Sequence, residues 1–146
     1  MSFRFPLETV LKYRENIEKR EYTALGQAQQ QLIEAEIHLQ EAEGMCDAAI
    51  GKREAQVARG ITSVHLQEAY QHEQALIAQR DALRAKRLDL RTNVEQCRKA
   101  YELARQKREI LDELRTQRLA AYMREQSKQE QRRIDDIFLS RRKRGH

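Results

Sequence analysis

Histidine, cysteine and acidic side chains could do chemistry in this chain, but their spacing does not favour it. The histidines are isolated, and none belongs to a dedicated metal-binding motif; they are His38, His65, His72 and His146. The chain has no glycine-rich phosphate-binding loop and no nucleophile with a base placed beside it. Its many glutamates are typical of solvated helix faces. The sequence therefore predicts a protein that is not an enzyme and that uses no metal ion and no cofactor.

The composition indicates long helices rather than a globular core. Of 146 residues, 35% are charged and only 5% are aromatic, with no Trp and one Pro. The chain is rich in Ala, Leu, Glu, Gln, Lys and Arg, which are strong helix formers. It has no apolar run of about 18 residues and no cleavable signal, so we expect no transmembrane segment. Two cysteines without metal-binding spacing favour a reducing compartment, and we predict a cytoplasmic, all-α protein.

The first half of the chain has the heptad pattern of a coiled coil. Apolar residues recur in alternating steps of three and four, which keeps one narrow seam on a supercoiled helix. They are Leu25, Ala28, Leu32, Ala35, Leu39, Ala42, Cys46 and Ala49. Upstream, Leu7, Val10, Leu11 and Ile17 follow a helical spacing in another register. We therefore expect a stutter near Glu21 that joins the two stretches.

The second half repeats the pattern with a weaker core. Strict steps of seven connect Leu76, Leu83, Leu90, Cys97, Ala104 and Leu111, with Ala69 one heptad earlier. The alternate core position holds Val94, Tyr101, Arg80, Arg87, Arg108 and Arg115. Arginine can lay its aliphatic stem over a seam and keep its head group in water. A seam built in this way predicts a marginal second helix.

One segment between the two patterns can reverse the chain. Gly60 can adopt the left-handed conformation that closes a helix, and Thr62 or Ser63 can cap the next one. A short turn makes two helices antiparallel neighbours. The sequence thus predicts a long antiparallel coiled-coil hairpin.

We expect this hairpin to be a single domain that spans residues 1–146. Its first helix covers about 6–58, with Pro6 in the first turn, and the reversal covers 59–62. The second helix covers about 63–140 and is followed by a basic tail. Because the second helix is longer, its last 20 to 25 residues should have no partner within the hairpin.

The charges and the cysteines bear on how the two helices pair. Residues 21–58 hold seven acids and two bases, a net charge of −5, whereas residues 80–118 hold twelve bases and seven acids, a net charge of +5. Such complementary charge favours side-by-side packing. Folding at residue 60 places residue 46 near 74, and residue 25 near 95. Cys46 and Cys97 would then lie about 30 Å apart along the axis and could not form a disulfide bond.

The overhang predicted at the end of the second helix carries an apolar cluster. Ile134, Ile137 and Phe138 share one helix face by their spacing of three and four. An apolar stripe on an unpartnered helix end marks a binding surface. The alternative is that the cluster docks on the N-terminal turn, which contains Phe3, Phe5 and Leu7.

The basic tail at 141–146 contains the run Arg141-Arg142-Lys143-Arg144. Such a run could bind nucleic acid or a membrane surface. It is also what a helix C-terminus favours, because cations complement the macrodipole there. Since nucleic-acid binding usually needs stacking aromatic residues or a known module as well, we expect no nucleic-acid partner.

Both ends of the chain and its turn resemble one known family. The opening Phe3-Arg4-Phe5-Pro6-Leu7, with Val10, Leu11, Arg14 and Glu18, is similar to the start of flagellar FliJ proteins. The segment Gln131-Arg132-Arg133-Ile134-Asp135-Asp136-Ile137-Phe138 is similar to their end. The Gly60-Ile61-Thr62-Ser63 turn, the length and the two-helix layout also agree, so the resemblance covers nearly the whole chain.

This resemblance implies a soluble component of the bacterial flagellar type III protein export apparatus, needed for flagellum assembly, motility and chemotaxis. Such proteins insert their joined termini as a stalk into the hexameric flagellar export ATPase and promote its assembly. They also contact the cytoplasmic domain of the membrane export gate and escort export chaperones. The protein would then be cytoplasmic and peripherally associated with the cell membrane.

The resemblance also implies two sets of contact residues. The ATPase-ring contacts would be Leu7, Leu11, Arg14, Glu18, Ile134, Asp135, Phe138 and Arg141. The contacts with the export gate or the chaperones would be His38, Ala42, Met45, Ala49, His72 and Leu76. Three other functions stay open: a generic coiled-coil adaptor or scaffold, the equivalent stalk of a virulence type III secretion system, and a basic helix that binds nucleic acid.

Overall fold

The protein consists of two α-helices joined by a short turn in a computed structural model that describes residues 2–145. Helix α1 spans Glu8–Arg59 and helix α2 spans Ser63–Arg144, with 52 and 82 residues. The described residues contain no strand. The predicted all-α hairpin with a longer second helix is confirmed, because the two helices pack against each other.

The helix ends differ slightly from the predicted ones. Helix α1 begins at Glu8, two residues later than expected, and Pro6 lies in the turn before it, where the Glu8 N–H donates to the Phe5 carbonyl at 3.1 Å. At the other end, residues 141–144, predicted as part of a tail, form the last turn of α2. Cations near a helix C-terminus interact favourably with its macrodipole, which explains the longer helix. His146, the last residue of the predicted tail, lies outside the described residues.

The reversal uses the residues that the sequence singled out. Gly60 has φ of 89°, and its N–H donates to the Val57 carbonyl at 3.2 Å. Thr62 caps α2, because its Oγ1 accepts from the His65 backbone N–H at 3.3 Å. The same oxygen lies 2.6 Å from Nδ1 of the His65 ring. The predicted roles of Gly60 and Thr62 are confirmed.

Two glycine replacements should have opposite effects on stability. Gly60→Ala should lower the free energy of unfolding by about 1–2 kcal/mol, because a positive φ is strained for any residue with a Cβ. Gly44→Ala should raise it by up to about 1 kcal/mol, because Gly44 is inside α1 and a Cβ there meets nothing within 4 Å. Urea unfolding followed by circular dichroism measures both. Equal effects of the two replacements would contradict this account of the turn.

The chain divides into two compact units, and the first of them contains residues 21–101. Its core is the predicted seam of α1: the buried side chains are Leu25, Ala28, Ala35, Leu39, Ala42 and Cys46, and Leu32 and Ala49 are half-buried. The facing residues Leu76, Leu83 and Leu90 of α2 are half-buried. The first seam is confirmed, and the second is weaker, as its arginines predicted.

The other unit contains residues 2–20 and 102–145. Its buried apolar side chains are Phe5, Leu11 and Ala104. Within it, Arg108 donates to Glu18 at 2.6 Å and Arg115 donates to Glu8 at 3.0 Å. This unit therefore depends more on ion pairs and less on apolar burial than residues 21–101 do.

The stutter predicted near Glu21 was wrong. After Leu11, the half-buried residues Arg14, Glu18 and Glu21 continue the steps of three and four and lead directly to Leu25. The seam is therefore unbroken along α1, but it is polar over this stretch. Charged residues can occupy these positions because partners on α2, such as Arg108 for Glu18, compensate their charge.

The pairing register also differs from the predicted one. Within residues 21–101, the Tyr22 and Tyr101 ring centroids are 5.6 Å apart, and Arg91 approaches Glu36 at 3.6 Å. These α2 partners lie three and seven residues beyond those that a fold at residue 60 implies. The reversal is centred after Gly60, and the long arginine side chains reach further along the helix. The predicted pairing of acids on α1 with bases on α2 does occur, here and between Glu43 and Arg84 at 3.3 Å.

Two further predictions about the chain can be checked. Cys46 is buried, Cys97 is half-buried, and both thiols are free. None of the helices in the described part of the chain is apolar enough over its length to cross a membrane.

Candidate partner-binding surfaces

The end of α2 is the largest surface without a covering element. Every residue from 123 to 145 is exposed. The last residue before this stretch, Tyr122, contacts Phe3, with their ring centroids 5.5 Å apart. We call residues 123–145 the overhang. Its length agrees with the predicted 20 to 25 residues.

The overhang presents the apolar cluster to solvent. Ile134 is 53% exposed and Phe138 is 65% exposed. The alternative that this cluster docks on the N-terminal turn was wrong. In that turn Phe3 contacts Tyr122 instead, and Phe5 is buried with its ring 5.9 Å from the Arg118 guanidinium. The N-terminal aromatic rings are therefore already occupied, and Ile134 and Phe138 are free to bind a partner.

The cluster lies among charged groups on a continuous helix. Arg141 follows Phe138 by three residues and so extends the same face. The Gln131 side-chain amide donates to the Asp135 carboxylate at 3.1 Å, one turn apart. Over residues 123–146 eight bases and four acids give a net charge of +4. The arrangement is an apolar stripe with a basic end, which suits a partner with an apolar pocket and acidic groups.

The proposed ring contacts divide into two kinds of environment. The four positions in the overhang, Ile134, Asp135, Phe138 and Arg141, are exposed. The four positions on α1 are buried or half-buried against α2; they are Leu7, Leu11, Arg14 and Glu18. The structure brings both groups into the unit formed by residues 2–20 and 102–145, but only the overhang residues are accessible to a partner.

Glu18 has a specific structural partner. Both of its carboxylate oxygens accept from Arg108, at 2.6 and 3.2 Å, and Asp112 accepts a third bond from the same guanidinium at 2.7 Å. The hydrogen bonds from Glu18 and then from Asp112 raise the pKa of Arg108, so its charge is fixed. Glu18 therefore helps to hold α1 against α2.

A groove of about 780 Å³ lies beside the turn, within residues 21–101. It collects four of the six residues assigned to gate or chaperone contact: Met45, Ala49, His72 and Leu76. The other two lie elsewhere. His38 is exposed on α1 outside the groove, and Ala42 is buried in the seam. The groove is therefore the accessible part of that set.

The sequence analysis missed the most buried charge in this unit. Glu73 is only 6% exposed and pairs with Arg53, whose Nε lies 3.0 Å from its Oε2. Arg53 also lines the groove and places its guanidinium 5.8 Å from the Tyr70 ring centroid. The signal was available, because position 73 is four residues after Ala69 and three before Leu76, which is the spacing of the seam.

The described residues hold no group of three or more histidine, cysteine or acidic side chains that could bind a metal ion. Their accessible features are one apolar and basic helix end and one groove. A pair of long helices with such surfaces belongs to the class of helical interaction proteins.

Comparison with protein families gives the particular one. The family model described as "Flagellar FliJ protein" matches residues 3–145, and the chain therefore belongs to the flagellar FliJ family. This is a non-catalytic family of structural and escort proteins related to flagellar export, and the resemblance noted in the sequence is confirmed. Searches of curated proteins and of solved structures gave no match.

Proposed function

We propose that this protein is a stalk that inserts into the hexameric flagellar export ATPase and promotes its assembly. The observation that carries the proposal is the exposed overhang, with Ile134 and Phe138 in solvent and no element of the chain covering them. A helix inside a ring must be narrow and must offer side chains to the lumen. The overhang is a single helix and so meets both demands.

The termini supply the rest of this site. Residues 2–20 pack on the part of α2 that precedes the overhang, and the Phe3–Tyr122 contact marks where that packing ends. Leu7, Leu11, Arg14 and Glu18 would then act by fixing the base of the overhang. Ile134, Asp135, Phe138 and Arg141 would touch the ring.

The groove beside the turn is our candidate for the second contact, with the cytoplasmic domain of the export gate or with export chaperones. Its apolar residues Met45, Ala49 and Leu76 offer contact area, and His72 adds a polar group. In this function the protein is cytoplasmic, associates peripherally with the cell membrane through the export apparatus, and is required for motility and chemotaxis. It uses no cofactor and binds no nucleic acid.

The family match favours this function over a generic adaptor, and the flagellar system over a virulence system. Mixing the purified protein with its cognate export ATPase tests it directly. We expect a larger hexamer fraction in sedimentation velocity and a faster ATPase. If neither changes and no complex forms, the stalk proposal is wrong.

The basic end of the overhang should contribute to ring binding through charge. Changing Arg141, Arg142, Lys143 and Arg144 to Glu should weaken the affinity for the ATPase by more than about tenfold at low salt, because four attractive charges become repulsive. The dependence of affinity on ionic strength should also become smaller or change sign. Titration of the labelled protein at several NaCl concentrations measures both.

A matched control is Lys107→Glu, which reverses an exposed charge on α2 outside the overhang. We expect this control to leave the affinity within about twofold, since a single exposed charge interacts weakly. An unchanged affinity and an unchanged salt dependence in the fourfold variant would contradict a role for this charge.

A further inference from the structure

The N-terminal segment is attached to α2 through aromatic and charged side chains. We call residues 2–20 the N-terminal strap. Four contacts hold it to α2: Phe3 with Tyr122 at 5.5 Å between ring centroids, Phe5 with Arg118 at 5.9 Å, Glu8 with Arg115 at 3.0 Å, and Glu18 with Arg108 at 2.6 Å. An arginine of α2 takes part in three of the four contacts.

The strap buries little apolar surface compared with the next part of α1. Phe5 and Leu11 are the buried side chains among residues 2–20. The shorter distance from Leu25 to Cys46 contains six buried apolar residues. Apolar burial is the main source of stability for a helix pair. The strap therefore has fewer of the contacts that would hold it in place.

The ion pairs of the strap are accessible to salt. The side chains of Glu18 and Arg108 are 18% and 24% exposed, and those of Glu8 and Arg115 are each 41% exposed. Pairs of this kind weaken as ionic strength rises, whereas apolar packing does not. A helix end that loses its packing frays, because isolated short helices are marginal in water.

We propose that the N-terminal strap opens from residues 102–122 on its own, and that ionic strength controls this opening while residues 21–101 stay paired. Opening lengthens the uncovered part of α2 from 123–145 to 102–145. It exposes Arg108, Arg115 and Leu111 next to the overhang. The strap is thus a conformational device that sets how much of α2 is available, and it does not depend on the proposed ATPase partner.

Hydrogen exchange of the full chain tests this proposal. Raising NaCl from about 20 mM to about 500 mM shortens the screening length from about 20 Å to about 4 Å. We expect the amides of residues 12–20 to exchange at least about tenfold faster at the higher salt, because the segment opens locally. The amides of residues 28–46 should change by less than about threefold.

Two matched variants examine the cause at low salt. Glu18→Gln removes the strap's strongest ion pair and should raise exchange of residues 12–20 by about fivefold or more. Glu36→Gln removes an ion pair with Arg91 inside residues 21–101 and should leave both regions unchanged. The proposal is overturned if the two regions respond to salt together, if neither responds, or if Glu36→Gln opens the strap as Glu18→Gln does.

Discussion

Removing residues 123–146 should abolish stimulation of the cognate export ATPase, while the remaining protein stays helical. The truncation leaves every described contact between the two helices in place, because the last of them joins Tyr122 to Phe3. The overhang makes no contact with α1, so its loss should cost little stability. If the overhang is the part that enters the ring, the variant should behave as though no stalk were present.

A substitution at the apolar cluster should reproduce most of this loss. Ile134→Asp together with Phe138→Asp places two charges on the stripe and should weaken ATPase binding by at least about a hundredfold, because apolar anchors dominate such interfaces. Ile33→Asp with Ile37→Asp is the matched control, since both isoleucines are 50% exposed on α1 outside the overhang. ATPase activity against protein concentration measures both variants.

The outcomes separate clearly. Full stimulation by the truncated protein would show that the ring contact lies elsewhere on the chain. An equal loss in the control variant would indicate a general effect of added charge rather than a contact at the overhang. Circular dichroism of each variant distinguishes lost binding from lost structure.

The second large effect is expected at the buried ion pair. Arg53→Ala should lower the free energy of unfolding by about 2–3 kcal/mol, because it leaves the Glu73 carboxylate buried without its partner. Glu73 is 6% exposed, and Arg53 supplies the nearest positive charge at 3.0 Å. The variant also loses the guanidinium contact with the Tyr70 ring. Urea unfolding of wild type and variant gives the difference.

Two comparisons show whether burial is the cause. Glu73→Leu should be neutral or should stabilise by about 1 kcal/mol, since an apolar residue suits a seam position and Arg53 can extend into water. Arg91→Ala breaks an exposed pair with Glu36 and should cost less than about 0.5 kcal/mol. If Arg53→Ala costs no more than Arg91→Ala, the Glu73 carboxylate does not depend on its partner.

These two predictions concern different units of the chain. The overhang belongs with residues 2–20, and its effect should appear in ATPase assays. The Arg53–Glu73 pair lies within residues 21–101, and its effect should appear in stability. Because Arg53 also lines the groove, its replacement could alter gate or chaperone contact as well. Binding assays on Glu73→Leu, which keeps Arg53, separate the two effects.

The sequence alone determined the helices, the turn and the overhang. Helical periodicity is a local property, so the steps from Leu25 to Ala49 were enough to place one seam. The turn followed from Gly60, because a positive φ is a local demand that glycine meets. The overhang followed from unequal helix lengths on the two sides of that turn.

Only the tertiary structure decided which charged residues belong to the core. Arg14, Glu18 and Glu73 occupy seam positions but look like surface residues in the sequence, since nothing local shows the partner that compensates their charge. The register likewise depends on which side chains of α2 meet those of α1, as Tyr22 and Tyr101 do. Such pairings involve residues far apart in the chain. Local periodicity can indicate that two helices pair, but it cannot align them.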